Sequence, residues 1–216
     1  VLGNDAYGGT FRLISAVLAP MGFAWTATDL TDPDALRAAM RPETKIVWAE
    51  TPTNPLLTVV DISAIAEIVH EGDARLVVDN TFATPYLQQP LSHGADVVVH
   101  STTKYCGGHS DVVGGFLATN DTELSDRLAY LQNAIGAVGS PFDNYLTLRF
   151  AQPALDDDPL LEFHDSAVAV EELSIVADDC DQFDGELRRK KRSDYIMEGW
   201  AELDCVLESG FEIRGG

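Results

Sequence analysis

Polar side chains collect directly after three apolar segments of the sequence. Glu50 and Asn54 follow the first segment, and Asp79 ends the second. The third runs into Ser101-Thr102-Thr103-Lys104, which adds hydroxyl groups and one amine. If the segments are neighbouring parallel strands, their carboxyl ends lie at one edge of a sheet, where ligands bind in open α/β folds. We therefore predict one site made of carboxylates, hydroxyls and a single amine.

The chemistry available to this set centres on Lys104, one of two lysines in residues 1–189. A partly desolvated amine loses its proton readily and attacks a carbonyl to form an imine. Ser101 and Thr103, with nearby backbone amides, can donate hydrogen bonds to a phosphate. Asp79 at a buried strand end needs a cationic partner, and a protonated heteroaromatic nitrogen would serve. Together these groups predict a site for pyridoxal 5'-phosphate.

Each signal alone has a simpler interpretation. A lysine after a strand is usually a solvated surface residue, and Asp79 alone fits a helix cap or a turn. The Ser-x-Thr-Lys spacing that ends at Lys104 also fits serine–lysine hydrolases. The combination of all the groups favours the cofactor site over these alternatives.

The elements that must position these groups alternate between strands and helices up to about residue 149. Buried parallel strands are predicted at Lys45–Glu50, Arg75–Asp79, Asp96–His100 and Val112–Thr119. Helices are predicted at Leu30–Met40, where Thr31 or Asp32 is the cap, and at Asp61–Glu71 and Asp121–Ile135. This alternation predicts an α/β domain with right-handed crossovers and a largely parallel sheet.

The last third of the chain has a different composition. Residues 150–187 contain no Lys or Arg, and the basic run Arg188–Arg192 follows them. An amphipathic helix is predicted over residues 160–176, and no strand of the α/β alternation continues there. We predict that residues 1–149 form a cofactor-binding large domain. Residues 150–216 would then be a divergent acidic tail, irregular or helical and poorly ordered.

Composition excludes several classes of partner. The chain has 35 acidic and 14 basic residues, a net charge of −21, which disfavours nucleic acid and membrane surfaces. The scarcity of lysine favours a salt-rich cytoplasm, with an acidic mesophilic protein as the alternative. No apolar run of bilayer length and no secretory signal is present, so we expect a cytoplasmic protein. The spacing of Cys106, Cys180, Cys205 and the histidines predicts neither a disulfide framework nor a metal site.

Five segments carry a resemblance to a known family. The chain resembles the Cys/Met-metabolism family of pyridoxal phosphate-dependent enzymes, of the cystathionine γ-synthase and γ-lyase type. The segments follow the family's order within residues 3–149, so the resemblance is specific. It implies the large domain of an aspartate-aminotransferase-like fold (fold type I), here incomplete. The matching segments are Asp5–Arg12, Glu50–Pro55, Asp79–Tyr86, His100–Asp111 and Gly136–Asp143.

The resemblance also implies roles for individual residues. Lys104 would form the imine with the cofactor and later move protons as general acid and base. Asp79 would pair with the pyridinium nitrogen, and Tyr7 would stack on the ring and take part in proton transfer. The remaining contacts would be those of Ser101 and Thr103 with the phosphate and of Asn54 near the ring hydroxyl.

The activity implied is transsulfuration of an amino-acid substrate, cystathionine or acylated homoserine with cysteine, by γ-replacement or γ-elimination. The family commonly forms homo-oligomers, dimers of dimers. It also has a segment before the first match and, after Leu148-Arg149, a smaller domain with an arginine for the substrate carboxylate; we recognise neither here. We therefore expect a member truncated at both ends. An inactive remnant that still binds pyridoxal phosphate is the alternative to an active enzyme.

Overall fold

A computed structural model of the chain describes residues 1–156 and 168–170. In these residues one sheet contains seven strands in the order β2-β1-β3-β4-β5-β6-β7. The strands are β1 (Leu2–Gly3), β2 (Ala27–Thr28), β3 (Ile46–Glu50), β4 (Arg75–Asp79), β5 (Val97–Ser101), β6 (Gly115–Ala118) and β7 (Val168–Val170). The α-helices are α1 (Gly8–Arg12), α2 (Pro33–Ala39), α3 (Ile62–His70), α4 (Thr84–Leu87), α5 (Thr122–Ile135) and α6 (Pro141–Asp156).

The strands β1 to β5 run parallel, which confirms the prediction of an α/β fold with a mainly parallel sheet. In the register of β3 with β4, Glu50 lies opposite Asp79. In the register of β4 with β5, Asp79 lies opposite Val99. Because these strands share one direction, their carboxyl ends lie together at one edge of the sheet.

The direction predicted for the strand over Val112–Thr119 is wrong. Strand β6 lies within this range but runs antiparallel to β5, with His100 opposite Phe116. A parallel pair needs a crossover connection over a face of the sheet, whereas residues 102–114 turn back beside β5. The amides of Thr102 and Thr103 both donate to the carbonyl of Gly114, at 2.7 and 3.2 Å, and so close the base of this connection.

The main hydrophobic core lies between the strands β3 and β4 and the helices α2 and α3. Leu36 of α2 and Val69 of α3 are fully buried, as are Val47, Leu76 and Val78 of the two strands. Ile65 and Ala66 of α3 belong to the same cluster, in agreement with the apolar stripe expected of an amphipathic helix. This packing fixes the two central strands whose ends carry Glu50 and Asp79.

The three predicted helices are confirmed, and each begins directly after an aspartate. Asp32, rather than Thr31, caps α2 by accepting from the amides of Asp34 and Ala35. Asp61 caps α3 by accepting from the amide of Ala64 at 3.1 Å, and Asp121 caps α5 by accepting from that of Leu124 at 3.0 Å. Each carboxylate thereby satisfies an amide that has no partner within its helix.

Helix α1 and the π-helical stretch after it, Leu13–Leu18, were not predicted. The tandem glycines Gly8-Gly9 open α1, and glycine is not a helix-start signal. Phe11 and Val17 are about half exposed, at 48% and 50%, so this segment buries no continuous apolar stripe that a pattern could reveal.

The tail is described in part. Helix α6 runs across the predicted boundary between residues 149 and 150, which stays a prediction. Residues 168–170 form β7, antiparallel to β6, where the sequence predicts a helix; that prediction is wrong at these residues. The β-branched residues Val168 and Val170 favour a short strand beside β6. The rest of the predicted tail, residues 157–167 and 171–216, lies outside the described residues. Of the helices described, none has the length and apolarity to cross a bilayer.

Candidate active site

The carboxyl ends of β3, β4 and β5 bring the predicted site residues to one edge of the sheet. Glu50 ends β3, Asp79 ends β4 and Ser101 ends β5, and the helical stretch Thr102–Cys106 follows directly with Lys104. The loop after β1 reaches the same edge, because the amide of Tyr7 donates to the Glu50 carboxylate. The elements that carry the six predicted residues therefore converge, as the sequence predicts.

A buried threonine links the ends of β4 and β5. The carboxylate of Asp79 accepts a hydrogen bond from the amide of Thr81 at 3.0 Å. The hydroxyl of Thr81 accepts in turn from the amide of Ser101 at 2.9 Å. Thr81 is 8% exposed, so this chain of bonds is shielded from water and fixes Asp79 and Ser101 relative to each other. No local pattern marks Thr81, because its role depends on a partner twenty residues away.

Hydrogen bonds to Gly114 and a tight turn at Gly107 hold the segment that carries Lys104. Lys104 is half-buried and interrupts the helical stretch with φ −94° and ψ −123°. The hydroxyl of Thr103 accepts from the amide of Gly114 at 3.0 Å and lies 3.3 Å from its carbonyl oxygen. A Cβ on Gly107 would lie 2.4 Å from the Cγ2 atom of Val112, so this turn requires glycine. The backbone around Lys104 is thus fixed by its own loop.

Tyr7 and Asn54 both attach to Glu50 through their backbones. The amide of Tyr7 donates to one oxygen of the Glu50 carboxylate at 2.7 Å, and that of Asn54 donates to the other at 2.8 Å. The Tyr7 ring lies against Gly9, where a Cβ would come within 2.5 Å of the ring atom Cε1. Glycine at position 9 therefore lets the ring pack directly on the backbone.

Glu50 is unusual for a carboxylic side chain because it is only 6% exposed. Burial, the charge of Asp79 and the charge of Asp5 raise its pKa to about 8, although the two backbone hydrogen bonds act in the opposite direction. Glu50 is predicted above as a strand-end carboxylate without a role of its own. Its position at the end of an apolar strand was the available signal.

Behind the site, a buried polar network fixes the chain after β4. The amide group of Asn80 donates to the carbonyls of Thr84 and Gln88, at 3.1 and 2.7 Å. The side chain of Gln88 donates to the Asn80 side-chain oxygen at 2.8 Å and to the Thr51 carbonyl at 3.0 Å. Asn80 is fully buried, so these bonds give the turn after Asp79 one arrangement.

The histidines and the cysteine near Lys104 are held by packing, burial or backbone contacts. His100 stacks on Phe116 with ring centroids 4.8 Å apart, and burial lowers its pKa to about 3, so the imidazole is neutral. Burial also raises the pKa of the Cys106 thiol to about 11. His109 contacts the carbonyl of Gly107 through Nδ1 at 3.0 Å. Among the residues that the structure describes, no group of three His, Cys, Asp or Glu side chains could hold a metal ion.

The donor set fits pyridoxal phosphate. The strand ends bring the carboxyl groups of Glu50 and Asp79 into a half-buried to buried region, where burial and then the charge of Asp79 raise the pKa of Glu50. A protonated ring nitrogen beside Asp79 would form a charge-assisted hydrogen bond with its carboxylate. Lys104 supplies an amine, and the hydroxyls of Ser101 and Thr103 precede it on the same segment. The residues present therefore match the charge and hydrogen-bonding groups of the cofactor.

Known proteins match the same part of the chain. The profile of the family described as "Cys/Met metabolism PLP-dependent enzyme" matches residues 1–151. A cystathionine gamma-synthase of Mycobacterium tuberculosis (strain ATCC 25618 / H37Rv) is 60% identical over 149 residues, which are 69% of this chain and 38% of the relative. A cystathionine beta-lyase of Lactococcus lactis subsp. cremoris (strain MG1363) is 54% identical over 149 residues, 69% of this chain and 39% of the relative.

The fold agrees with this match. The crystal structure of a cystathionine gamma-lyase from Lactobacillus plantarum, complexed with L-serine, superposes with a TM-score of 0.70 at 49% identity. The match covers 71% of this chain and 40% of that structure. The chain thus spans about two fifths of the length of the relatives that it matches. With the family profile over residues 1–151, these similarities establish that the chain belongs to the Cys/Met metabolism family of PLP-dependent enzymes.

Proposed function

We propose that the chain supplies the cofactor-holding part of a transsulfuration enzyme that acts on cystathionine or on acylated homoserine and cysteine. The observation that carries the proposal is the convergence of Glu50, Asp79 and Ser101 at adjacent strand ends, with Lys104 three residues further on. The names of the relatives support this substrate class, since they include a gamma-synthase, a beta-lyase and a gamma-lyase. Either γ-replacement or γ-elimination is compatible with the site.

Each residue of the site would have a separate role toward the cofactor. Lys104 would bind the cofactor aldehyde covalently and, once released, hold and return protons as general base and acid. Asp79 would keep the ring nitrogen protonated, and Tyr7 would pack on the ring face. The cofactor itself supplies an electron-withdrawing ring. The remaining polar contacts would come from Ser101 and Thr103 to the phosphate and from Asn54 near the ring hydroxyl.

For Thr103, phosphate binding requires a change in its hydrogen bonds. The hydroxyl accepts from the Gly114 amide at 3.0 Å, and its distance of 3.3 Å to the Gly114 carbonyl is long for an O–H donor. The hydroxyl can therefore keep its acceptor role toward Gly114 while turning its proton toward a phosphate oxygen. Removing the hydroxyl would cost both interactions.

The charge and the exposed apolar side chains bear on the partners, the location and the assembly of the protein. A net charge of −21 supports a small amino acid rather than nucleic acid or a membrane surface as the partner. We place the protein in the cytoplasm and expect it to act as a homo-oligomer. Large apolar side chains that are 58–70% exposed support an assembly in which they are covered: Met21, Phe23, Tyr130, Phe142 and Leu148.

Covalent trapping of the cofactor tests the proposal. The 216-residue chain is mixed with pyridoxal phosphate, the yellow absorption band is recorded, and borohydride is added. Peptide mass analysis should then find the reduced cofactor on Lys104, and Lys104→Ala should abolish both signals. Lys45→Ala is the matched control, because this exposed lysine lies at the opposite end of β3.

Turnover then separates the two candidate functions. Formation of cystathionine from acylated homoserine and cysteine, or its cleavage, would establish the enzyme. A coloured protein without either reaction would support the inactive remnant that still binds the cofactor. A colourless wild-type chain would refute the cofactor site.

A further inference from the structure

The carboxyl group of Glu50 joins two loops that come from distant parts of the sequence. One oxygen accepts from the amide of Tyr7, in the loop after β1, at 2.7 Å. The other accepts from the amide of Asn54, in the loop after β3, at 2.8 Å. We call this arrangement the Glu50 clasp: the carboxyl group of Glu50 with these two amides. A single side chain thereby fixes the backbone amides of Tyr7 and Asn54 relative to each other.

A second carboxylate joins the same two loops. The side chain of Asp5, two residues before Tyr7, accepts hydrogen bonds from the hydroxyls of Thr53 and Thr58. The Thr53 hydroxyl also accepts from the amide of Thr58 at 2.8 Å, which closes the second loop on itself. The loops are therefore attached at two points, and only the Glu50 clasp lies at the buried strand end.

The register of the sheet places the clasp beside the group proposed to face the cofactor ring. Glu50 lies directly opposite Asp79 in the parallel pair of β3 and β4. We propose that Glu50 is a positioning residue that locks the Tyr7 and Asn54 loops together against the strand end of Asp79. This inference rests on the proposed function only where it treats Tyr7 and Asn54 as cofactor contacts.

The charges around Glu50 make the clasp sensitive to pH. Asp79 faces it from β4 and Asp5 faces it from the loop after β1; together with burial they oppose ionisation and hold the pKa at about 8. The two amides favour the ionised form, so by linkage ionisation strengthens both hydrogen bonds. The clasp should therefore tighten as pH rises through about 8.

Nuclear magnetic resonance of the cofactor-free 216-residue chain tests this directly. The amide proton signals of Tyr7 and Asn54 should move downfield together between about pH 6 and about pH 10, because a hydrogen bond to a charged acceptor is shorter. Both should share one midpoint with the side-chain carboxyl carbon of Glu50. The amide of Val60, which donates to the uncharged Thr51 hydroxyl at 3.1 Å, should not follow this titration. Separate midpoints, or no movement, would overturn the proposal.

The variant Glu50→Gln separates positioning from mere packing. Gln keeps the shape but offers an acceptor to one amide only, so both titrations should disappear and the affinity for pyridoxal phosphate should fall about tenfold. The matched control is Glu71→Gln, an exposed surface residue paired with Arg37, which should retain both titrations and the wild-type affinity. Wild-type affinity in Glu50→Gln would refute a role toward the cofactor.

The outcomes of the two proposals remain distinguishable. A wild-type chain that shows the joint titration but binds no cofactor retains the clasp and loses the proposed function. A chain that binds the cofactor on Lys104 without the joint titration retains the function and loses the clasp. If Glu50→Gln does not fold, the wild-type titration decides alone, because it requires no variant.

Discussion

The two ends of the central strands handle charge in opposite ways. At the amino ends, acids and bases alternate: Lys45 contacts Asp73, and Arg75 contacts Asp121 at 3.1 Å. At the carboxyl ends, Glu50 lies opposite Asp79, and the charge of Asp5 acts on the same group. The first edge is balanced within itself, whereas the second concentrates carboxylates.

Solvent exposure distinguishes the two edges, and the difference supports the proposed site at the carboxyl ends. Lys45 and Asp73 are 64% and 92% exposed, so water screens them and their pairing costs little. The hydrogen bond and charge of Lys45 lower the pKa of Asp73, whereas burial and the neighbouring carboxylates raise that of Glu50. A carboxyl group as buried as that of Glu50 is costly to ionise, which its raised pKa reflects. Strongly perturbed carboxylates of this kind mark functional sites.

The largest effect is expected from removing the carboxylate proposed to meet the cofactor. Asp79→Ala should weaken pyridoxal phosphate binding by roughly 30- to 1,000-fold, as for the loss of one partner of a buried charge pair. Titration of the chain with the cofactor, followed by absorbance, measures this. Asp73→Ala, at the balanced edge, should leave the affinity unchanged; equal losses in the two variants would contradict the comparison.

The next effect in size, counted per pH unit, is the change in the free energy of unfolding that Glu50 causes. Its pKa is about 8 in the folded chain against an ordinary 4.5, so the folded state binds the extra proton between these values. The contribution of Glu50 to the free energy of unfolding therefore falls as pH rises across this window, by up to about 1.4 kcal/mol per pH unit, and levels off above it.

Urea unfolding at several pH values checks this slope in the cofactor-free chain. Glu50→Gln should remove its share of the pH dependence, while the histidines contribute equally in both proteins. Glu71→Gln again serves as the control, because that side chain is exposed. A Glu50→Gln profile parallel to that of the wild type would show that Glu50 ionises normally.

Much of this acidic edge was predictable from the sequence, and the reason is local. Apolar segments that end in Glu50, Asp79 and His100 reveal strand ends, and parallel strands place those ends together. The aspartate cap of α3 was equally readable and that of α2 was one of two candidates, since a cap acts within three residues. These predictions were confirmed because their determinants are local, whereas the pattern over residues 160–176 predicted a helix where residues 168–170 form a strand.

What was missed depends on contacts between distant residues. The clasp requires two amides that lie 43 and 4 residues from Glu50, and the bond from Ser101 to Thr81 spans 20 residues. The antiparallel direction of β6 depends on how the loop after Lys104 folds back, which its apolar pattern does not encode. Helix α1 begins at glycines and has no buried residue, so no apolar stripe marks it in the sequence.

A smaller effect is expected at Asp96, where the balanced edge is partly buried. Its carboxylate accepts from the amide of Leu76 at 2.7 Å and from His70 at 3.0 Å. Asp96→Ala leaves the Leu76 amide without its side-chain acceptor and should lower the free energy of unfolding by about 1 to 2 kcal/mol. Asp96→Asn keeps an acceptor oxygen and should lose less, which urea unfolding resolves. Equal losses would locate the effect outside this hydrogen bond.

The smallest effect is expected at the ion pair of Lys45 with Asp73, where the side chains are most exposed. Both side chains are largely exposed, so the attraction is screened and is offset by the ordering of a flexible lysine. Lys45→Ala should leave the urea midpoint within experimental error of the wild type, at low salt and at high salt alike. A clear loss that disappears at high salt would mean that the amino edge depends on its charge balance. The acidic edge would then no longer be distinguished by energetic cost, and its assignment as the functional edge would depend on Lys104 and its neighbours alone.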